Sequence, residues 1–181
     1  KISESAKRLI AIYSILTGIE AVLLMLGGMN VYDAVCHSFS TMSTGGFSTR
    51  EEGIGAFDSP YILVVLTVFM FLAGTSTTTF YFAIKKNFTR IRHNDEFAFY
   101  IITCLGFMVL SSATLWITGH YPAGRSFLEG SFQALSVIST TGFSHSDYNG
   151  WGNLMLLLIF IMMFTGGMSG SASSCSMRSS A

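Results

Sequence analysis

Charge is scarce in this sequence. Only 11% of its 181 residues are Asp, Glu, Lys or Arg, against about a quarter in an ordinary soluble domain. Ten basic and ten acidic residues cancel to a formal net charge of zero, so no basic field marks a nucleic-acid partner. The three cysteines, Cys36, Cys104 and Cys175, stand far apart, with no Cys-x-x-Cys and no His/Cys cluster. That spacing argues against a metal centre or a disulfide framework. Proline occurs only at Pro60 and Pro122, and neither interrupts an apolar run. What is abundant is hydrophobic: half of all residues, including 16 Phe. Such a composition belongs either to an unusually apolar core or to a membrane protein. Segment length decides, because a span needs about 20 apolar residues to cross a hydrocarbon layer of ~30 Å.

Several stretches meet that requirement. Leu9 to Met29 is a nearly continuous apolar run holding one acid, Glu20. Residues 31–42 make about three turns of helix, too short to cross. They lead into Ser43-Thr44-Gly45-Gly46-Phe47-Ser48 and a polar segment reaching Asp58. Pro60 suits the first turn of a helix, where a missing N–H costs nothing. Residues 60–84 then read as a second span, followed by a polar connector over 85–93. The pattern returns as a span over 96–118, a short loop over 119–126, a short helix over 127–138 and Ser139-Thr140-Thr141-Gly142-Phe143-Ser144. A last span over 151–178 is broken by Gly166-Gly167-Met168-Ser169-Gly170-Ser171, poor material for a regular helix. The chain begins at Lys1 without Met and stops in a Ser-rich run, and it reads as a piece of a longer polypeptide.

One offset of 96 relates the two halves. It pairs Ser43 with Ser139, Thr44 with Thr140, Gly46 with Gly142, Phe47 with Phe143 and Ser48 with Ser144. It also pairs Asp33 with Glu129 near the start of each short helix, and Gly74 with Gly170 further on. No gap is needed. The expected fold is an all-α membrane protein built from tandem span, re-entrant helix, loop and span repeats, one over 1–93 and one over 94–181.

Charge placement orients these repeats. Lys1, Lys7, Arg8, Lys85, Lys86, Arg90, Arg92 and Arg178 lie at the ends and in the connector. Around the short helices stand only Arg50 and Arg125, against six acids. The positive-inside rule places the termini and connector in the cytoplasm and the Gly-containing loops outside. Both units enter from the same side, so an axis along the membrane normal relates them. That symmetry suits a central pore better than an inverted-repeat carrier.

A short helix ending within the bilayer is tolerated only where its backbone is buried in protein or lines a wet cavity. Its C-terminus carries about half a negative charge, which favours a nearby cation. Carbonyls that follow can replace part of an ion's hydration shell. Glycine allows the positive φ that turns a carbonyl inward, and Ser and Thr hydroxyls add oxygen ligands. This is oxygen chemistry suited to an alkali cation.

Three segments carry a family resemblance: His37-Ser-Phe-Ser-Thr-Met-Ser-Thr-Gly-Gly-Phe-Ser-Thr49, Phe132-Gln-Ala-Leu-Ser-Val-Ile-Ser-Thr-Thr-Gly-Phe143 and Gly166-Gly-Met-Ser-Gly-Ser171. The chain resembles the Trk/Ktr/HKT superfamily of potassium transporters, most closely its bacterial TrkH-type subunits, over essentially its whole length. The resemblance implies a potassium-channel-like pore ringed by four such units, of which these look like the second and third. It implies that Ser43, Thr44, Gly45, Gly46, Ser139, Thr140, Thr141 and Gly142 are filter positions for potassium ions. Glycine at both Gly46 and Gly142 leans toward potassium, since plant relatives with Ser at one such position carry sodium. Gly166, Gly167, Ser169, Gly170 and Ser171 match the family's intramembrane gating loop, though the family loop is richer in Gly. Also implied are a homodimer in the lipid bilayer of the bacterial inner membrane and a cytoplasmic nucleotide-binding regulatory subunit. No covalently bound cofactor and no nucleic acid are expected.

Other residues invite weaker readings. Glu20, an acid inside a span, reads as a hydrogen-bonding partner of a re-entrant loop or as a direct attraction for cations. Asp147 belongs either to a negative outer mouth or to an ordinary solvated loop. His37 reads as a packed side chain. Ser144, His145 and Asp147 lie close in sequence, but their order matches no triad and no Gly-x-Ser-x-Gly elbow exists. An enzyme is therefore not expected. The alternatives to potassium uptake are a non-conducting membrane scaffold of the same fold and, more remotely, a membrane-embedded hydrolase.

Overall fold

The computed structural model describes residues 2–57, 59–75, 79, 95–119, 121–145 and 148–164. Six helices carry the fold: α1 (Ile2–Leu26), α2 (Val31–Met42), α3 (Pro60–Ala73), α4 (Asp95–Ile117), α5 (Ala123–Ile138) and α6 (Asn153–Met163). Short 3-10 turns at Gly53–Ala56 and Tyr148–Trp151 precede α3 and α6. No strand occurs among the described residues.

Helix ends differ from the sequence reading in several places: α1 ends at Leu26 rather than Met29, α3 ends at Ala73 with Gly74 as its cap, and α6 starts at Asn153 rather than 151. Helix α1 starts at Ile2, because the polar residues ahead of Leu9 continue the helix rather than break it. Helix α5 starts at Ala123, inside the stretch expected to be loop. Pro122 is its N-cap, with φ −62° and ψ 153°, and its carbonyl accepts from the Ser126 N–H at 2.9 Å. Proline is well placed there, since its fixed φ suits the entry to a helix. Apart from Thr79, the expected span over 60–84 lies outside the described residues beyond Thr75, as does the last span beyond Phe164. Among the described residues, Phe97–Ile117 is long and apolar enough to cross a membrane, while the apolar stretches Ile10–Leu26, Pro60–Ala73 and Asn153–Met163 are shorter.

The packing encloses polar side chains beside apolar ones and leaves large apolar side chains exposed. Helix α5 buries Ser126, Glu129, Ser131, Gln133 and Ser136. Helix α4 beside it exposes Phe99, Ile102, Leu105, Val109 and Trp116. An exposed apolar face of that extent suits lipid hydrocarbon rather than water. Hydroxyls on α4 find partners inside the protein, as a dry environment demands. Ser112 Oγ donates to Met108 O at 2.6 Å and Thr114 Oγ1 to Leu110 O at 2.8 Å. Ser111 Oγ crosses to Gly130 O of α5 at 2.8 Å.

The halves share one core. Leu24, Ile62, Leu66 and Met70 of the first half pack with Phe132 and Phe143 of the second. Helix α3 lies against α5 and ties the halves together.

Candidate functional site

Both short helices stop on the same chain reversal. Ser43 caps α2, the Thr44 N–H donates to Thr41 O at 3.0 Å, and the Gly45 N–H donates to Ser40 O at 2.8 Å. This is a Schellman closure, which puts the residue after the cap in the left-handed region. Thr44 occupies that position with φ 52°. Ser139 caps α5, the Thr140 N–H donates to Val137 O at 3.0 Å, and Thr140 has φ 58°. Here the longer bond to Ser136 O comes from Gly142, at 3.0 Å. Helix α1 ends in the same kind of turn, but with glycine, Gly28, at φ 97°. A β-branched residue there is strained by about 1–2 kcal/mol. Thr44 and Thr140 are the only non-glycine residues with positive φ among those described. Strain of this kind persists where surrounding structure enforces it, and it clusters at functional sites.

The two loops touch. A Cβ on Gly46, whose φ is 67°, would run into the Thr141 carbonyl oxygen. The Ile54 N–H of the first half donates to Ser144 O at 3.2 Å. Phe143, 2% exposed, enters the shared core, where its ring lies 6.0 Å from that of His37. Its carbonyl accepts from Ser136 Oγ at 2.6 Å, and Ser139 Oγ and Thr141 Oγ1 are 2.8 Å apart. Of the expected filter residues, the structure brings Gly46 against Thr141 and Gly142; Ser43, Thr44 and Gly45 adjoin Gly46 along the first loop, and Ser139 and Thr140 adjoin Thr141 along the second. Ser43, Gly45, Thr140 and Gly142 are exposed, Thr44 and Gly46 half-buried, and Ser139 and Thr141 buried. Two helix C-termini, each carrying partial negative charge, face this spot.

A polar layer backs each loop. The Asp33 carboxylate accepts from Thr49 Oγ1 at 2.7 Å and from Arg50 Nη2 at 2.9 Å. The Thr49 hydroxyl, and after it Arg50, hold this carboxyl below the usual carboxylate range. In the second half the Glu129 carboxylate meets His145 Nδ1 at 2.9–3.0 Å and Arg125 Nε at 3.7 Å. His37 is fully buried, yet it does more than pack. Its Nδ1 lies 2.7 Å from Asp33 O and its Nε2 3.0 Å from Ser48 Oγ. Glu20 is also fully enclosed. Its carboxyl faces Thr41 in the last turn of α2, and neither oxygen has a well-formed hydrogen bond among the described residues.

Sequence reasoning passed over Thr49, Arg50, Arg125 and His145 as members of the site. A signal was there: Thr49 and His145 share the offset of 96 that pairs Asp33 with Glu129. Asp147 and the stretch Gly166, Gly167, Ser169, Gly170 and Ser171 lie outside the described residues.

Comparison with known proteins adds a family to this geometry. The family described as TrkH, cation transport protein, matches residues 1–180. The potassium uptake protein TrkH of Halomonas elongata is 35% identical over 172 residues, which is 94% of this chain and 36% of that protein. TrkG of the Escherichia coli Trk potassium uptake system is 31% identical over the same shares. The crystal structure of the potassium transporter TrkH from Vibrio parahaemolyticus superposes with a TM-score of 0.90 at 31% identity, covering 95% of this chain and 38% of that one. The chain therefore spans little more than a third of the length of the relatives it matches.

Proposed function

The chain belongs to the TrkH family of cation transport proteins, is an all-α membrane protein, and on that premise we propose that it supplies two quarters of a potassium-conducting pore. Residues 43–46 and 139–142 are the filter segments. Their backbone carbonyls replace part of the hydration shell of a potassium ion, and the ends of α2 and α5 favour the cation. The observation that carries this reading is the matched pair of strained turns, Thr44 with Gly46 and Thr140 with Gly142, in direct contact through Gly46 and Thr141. Glu20 braces the end of α2 from behind through Thr41. The stretch over 166–171 is the gating loop, and Asp147 lies at the outer mouth. Residues 1–93 and 94–181 are successive pore repeats, with further repeats supplied by a longer gene product. The termini and the connector face the cytoplasm of a bacterial inner membrane. Relatives are named as parts of a Trk potassium uptake system, which supports a multi-component assembly; the homodimer and the cytoplasmic nucleotide-binding subunit are what the family resemblance implies for it. No enzymatic reaction is assigned.

Flux of Rb+ into proteoliposomes holding the full-length gene product tests the proposal. Uptake that exceeds leak supports a pore. Folded protein that passes no Rb+ would point to the non-conducting scaffold instead.

A further inference from the structure

The polar layer behind the loops is itself duplicated. In the first half, the acid in the opening turn of α2 takes a bond from the residue just beyond the loop, Asp33 with Thr49. In the second, the corresponding acid of α5 takes one from the corresponding residue, Glu129 with His145. Both pairs are 16 residues apart. The chemistry has changed, from carboxylate–hydroxyl to carboxylate–imidazole, while the geometry has not. Each acid also holds one arginine. Arg50 comes from the loop and Arg125 from α5 itself, so these contacts have different origins. The acid side chains are 6% and 1% exposed, the arginines 50% and 51%. An ion pair with a half-exposed partner contributes little to stability, so stability alone does not account for two buried carboxylates in these places.

We propose that Asp33 and Glu129 are positioning residues. Each straps the outer limb of its loop to the N-terminal half of its own short helix, Asp33 in the first turn of α2 and Glu129 in the second turn of α5. The loop is then fixed at both ends: by the capping turn at Thr44 or Thr140, and by the strap at Thr49 or His145. That double fixation is what allows a strained threonine to stay strained. Each acid also keeps an arginine engaged at the outer end of its helix, where a free positive charge would repel an approaching cation. This role rests on the pore reading given above. It concerns selectivity, since a filter discriminates between ions only if its carbonyls keep their spacing.

The test uses the full-length gene product in proteoliposomes and compares Na+ with Rb+ flux. In Asp33→Asn and Glu129→Gln the Na+:Rb+ ratio should rise on the order of tenfold, a coupling of ordinary size between a positioning group and a site it does not touch. Glu129→Gln combined with His145→Gln should be no worse than Glu129→Gln alone, because the His145 contribution runs through Glu129. Amide exchange over 44–48 and 140–144 should quicken in the same variants. Thr49→Val serves if Asp33→Asn fails to fold, since it removes the strap and leaves the Arg50 pair intact. Folded variants with wild-type ratios, or strictly additive effects, would overturn the proposal. A wild type that passes no Rb+ overturns the pore reading and the selectivity role together, and the exchange rates then decide the strap by themselves.

Discussion

The two loops are nearly the same in sequence and differ in what surrounds them. Phe143 is 2% exposed, and its counterpart Phe47 is 80% exposed. A Cβ on Gly46 would strike Thr141, whereas one on Gly142 would meet nothing within 4 Å. The second loop is thus seated on the first, through Phe143 and the bond from Ile54 to Ser144, and each loop has one face that only a neighbour can complete. In a parallel arrangement this is the expected signature. On the pore reading proposed above, every unit would offer its phenylalanine to the unit on one side and its glycine to the unit on the other. The difference between the loops is one of position, not of design.

Core truncation should separate the loops most strongly. Phe143→Ala should lose about 3–5 kcal/mol of stability, the usual range for emptying a buried aromatic site. Phe47→Ala should lose almost nothing in this chain by itself. Thermal melting in detergent measures both. Should Phe47→Ala prove equally damaging in the full-length product, another unit covers it there.

The glycines give the next largest effect. Gly46→Ala adds a methyl against a carbonyl and left-handed strain, together about 2–5 kcal/mol. Gly142→Ala adds the strain alone, about 1–2 kcal/mol, wherever the space beside it stays open. Equal losses in the full-length product would mean that a further loop closes on Gly142. Thr44→Gly and Thr140→Gly act in the opposite direction. Each relieves about 1 kcal/mol of backbone strain, partly offset by the flexibility glycine brings to the unfolded chain. Stability should hold or rise while Na+:Rb+ discrimination weakens. Unchanged discrimination would mean that the strained threonines serve folding rather than function.

The smallest effect is one of pH. Thr49 and Arg50 favour the charged form of Asp33, so the folded protein takes up that proton at lower pH than the unfolded chain. The first-loop tie is intact above the ordinary carboxylate range, near pH 4, and is lost as pH falls below it. Amide protection over 44–50, measured relative to the unfolded chain at the same pH, should fall in that acid window, and Asp33→Asn should abolish that fall.

Much of the frame was legible before any coordinates. Apolar runs marked where α1, α3, α4 and α6 lie, though not their ends, and one offset of 96 aligned the loops. What stayed hidden depends on contacts between distant residues. Nothing local says that Thr44 must take positive φ; the closure around it does. Phe47 and Phe143 look equivalent as letters, and only the neighbour decides which is buried. His37 read as packing because its Ser48 partner lies across a turn. Pro122 and Gly124 looked like loop because the same residues also serve at helix entry.

The most direct test of the central claim is the Na+:Rb+ flux ratio of full-length Gly142→Ser, at a position where the described neighbours leave room for a side chain. The account predicts a wild type that prefers Rb+ and a folded variant whose preference shifts toward Na+. A folded variant with the wild-type ratio, or a folded wild type with no preference at all, would contradict it.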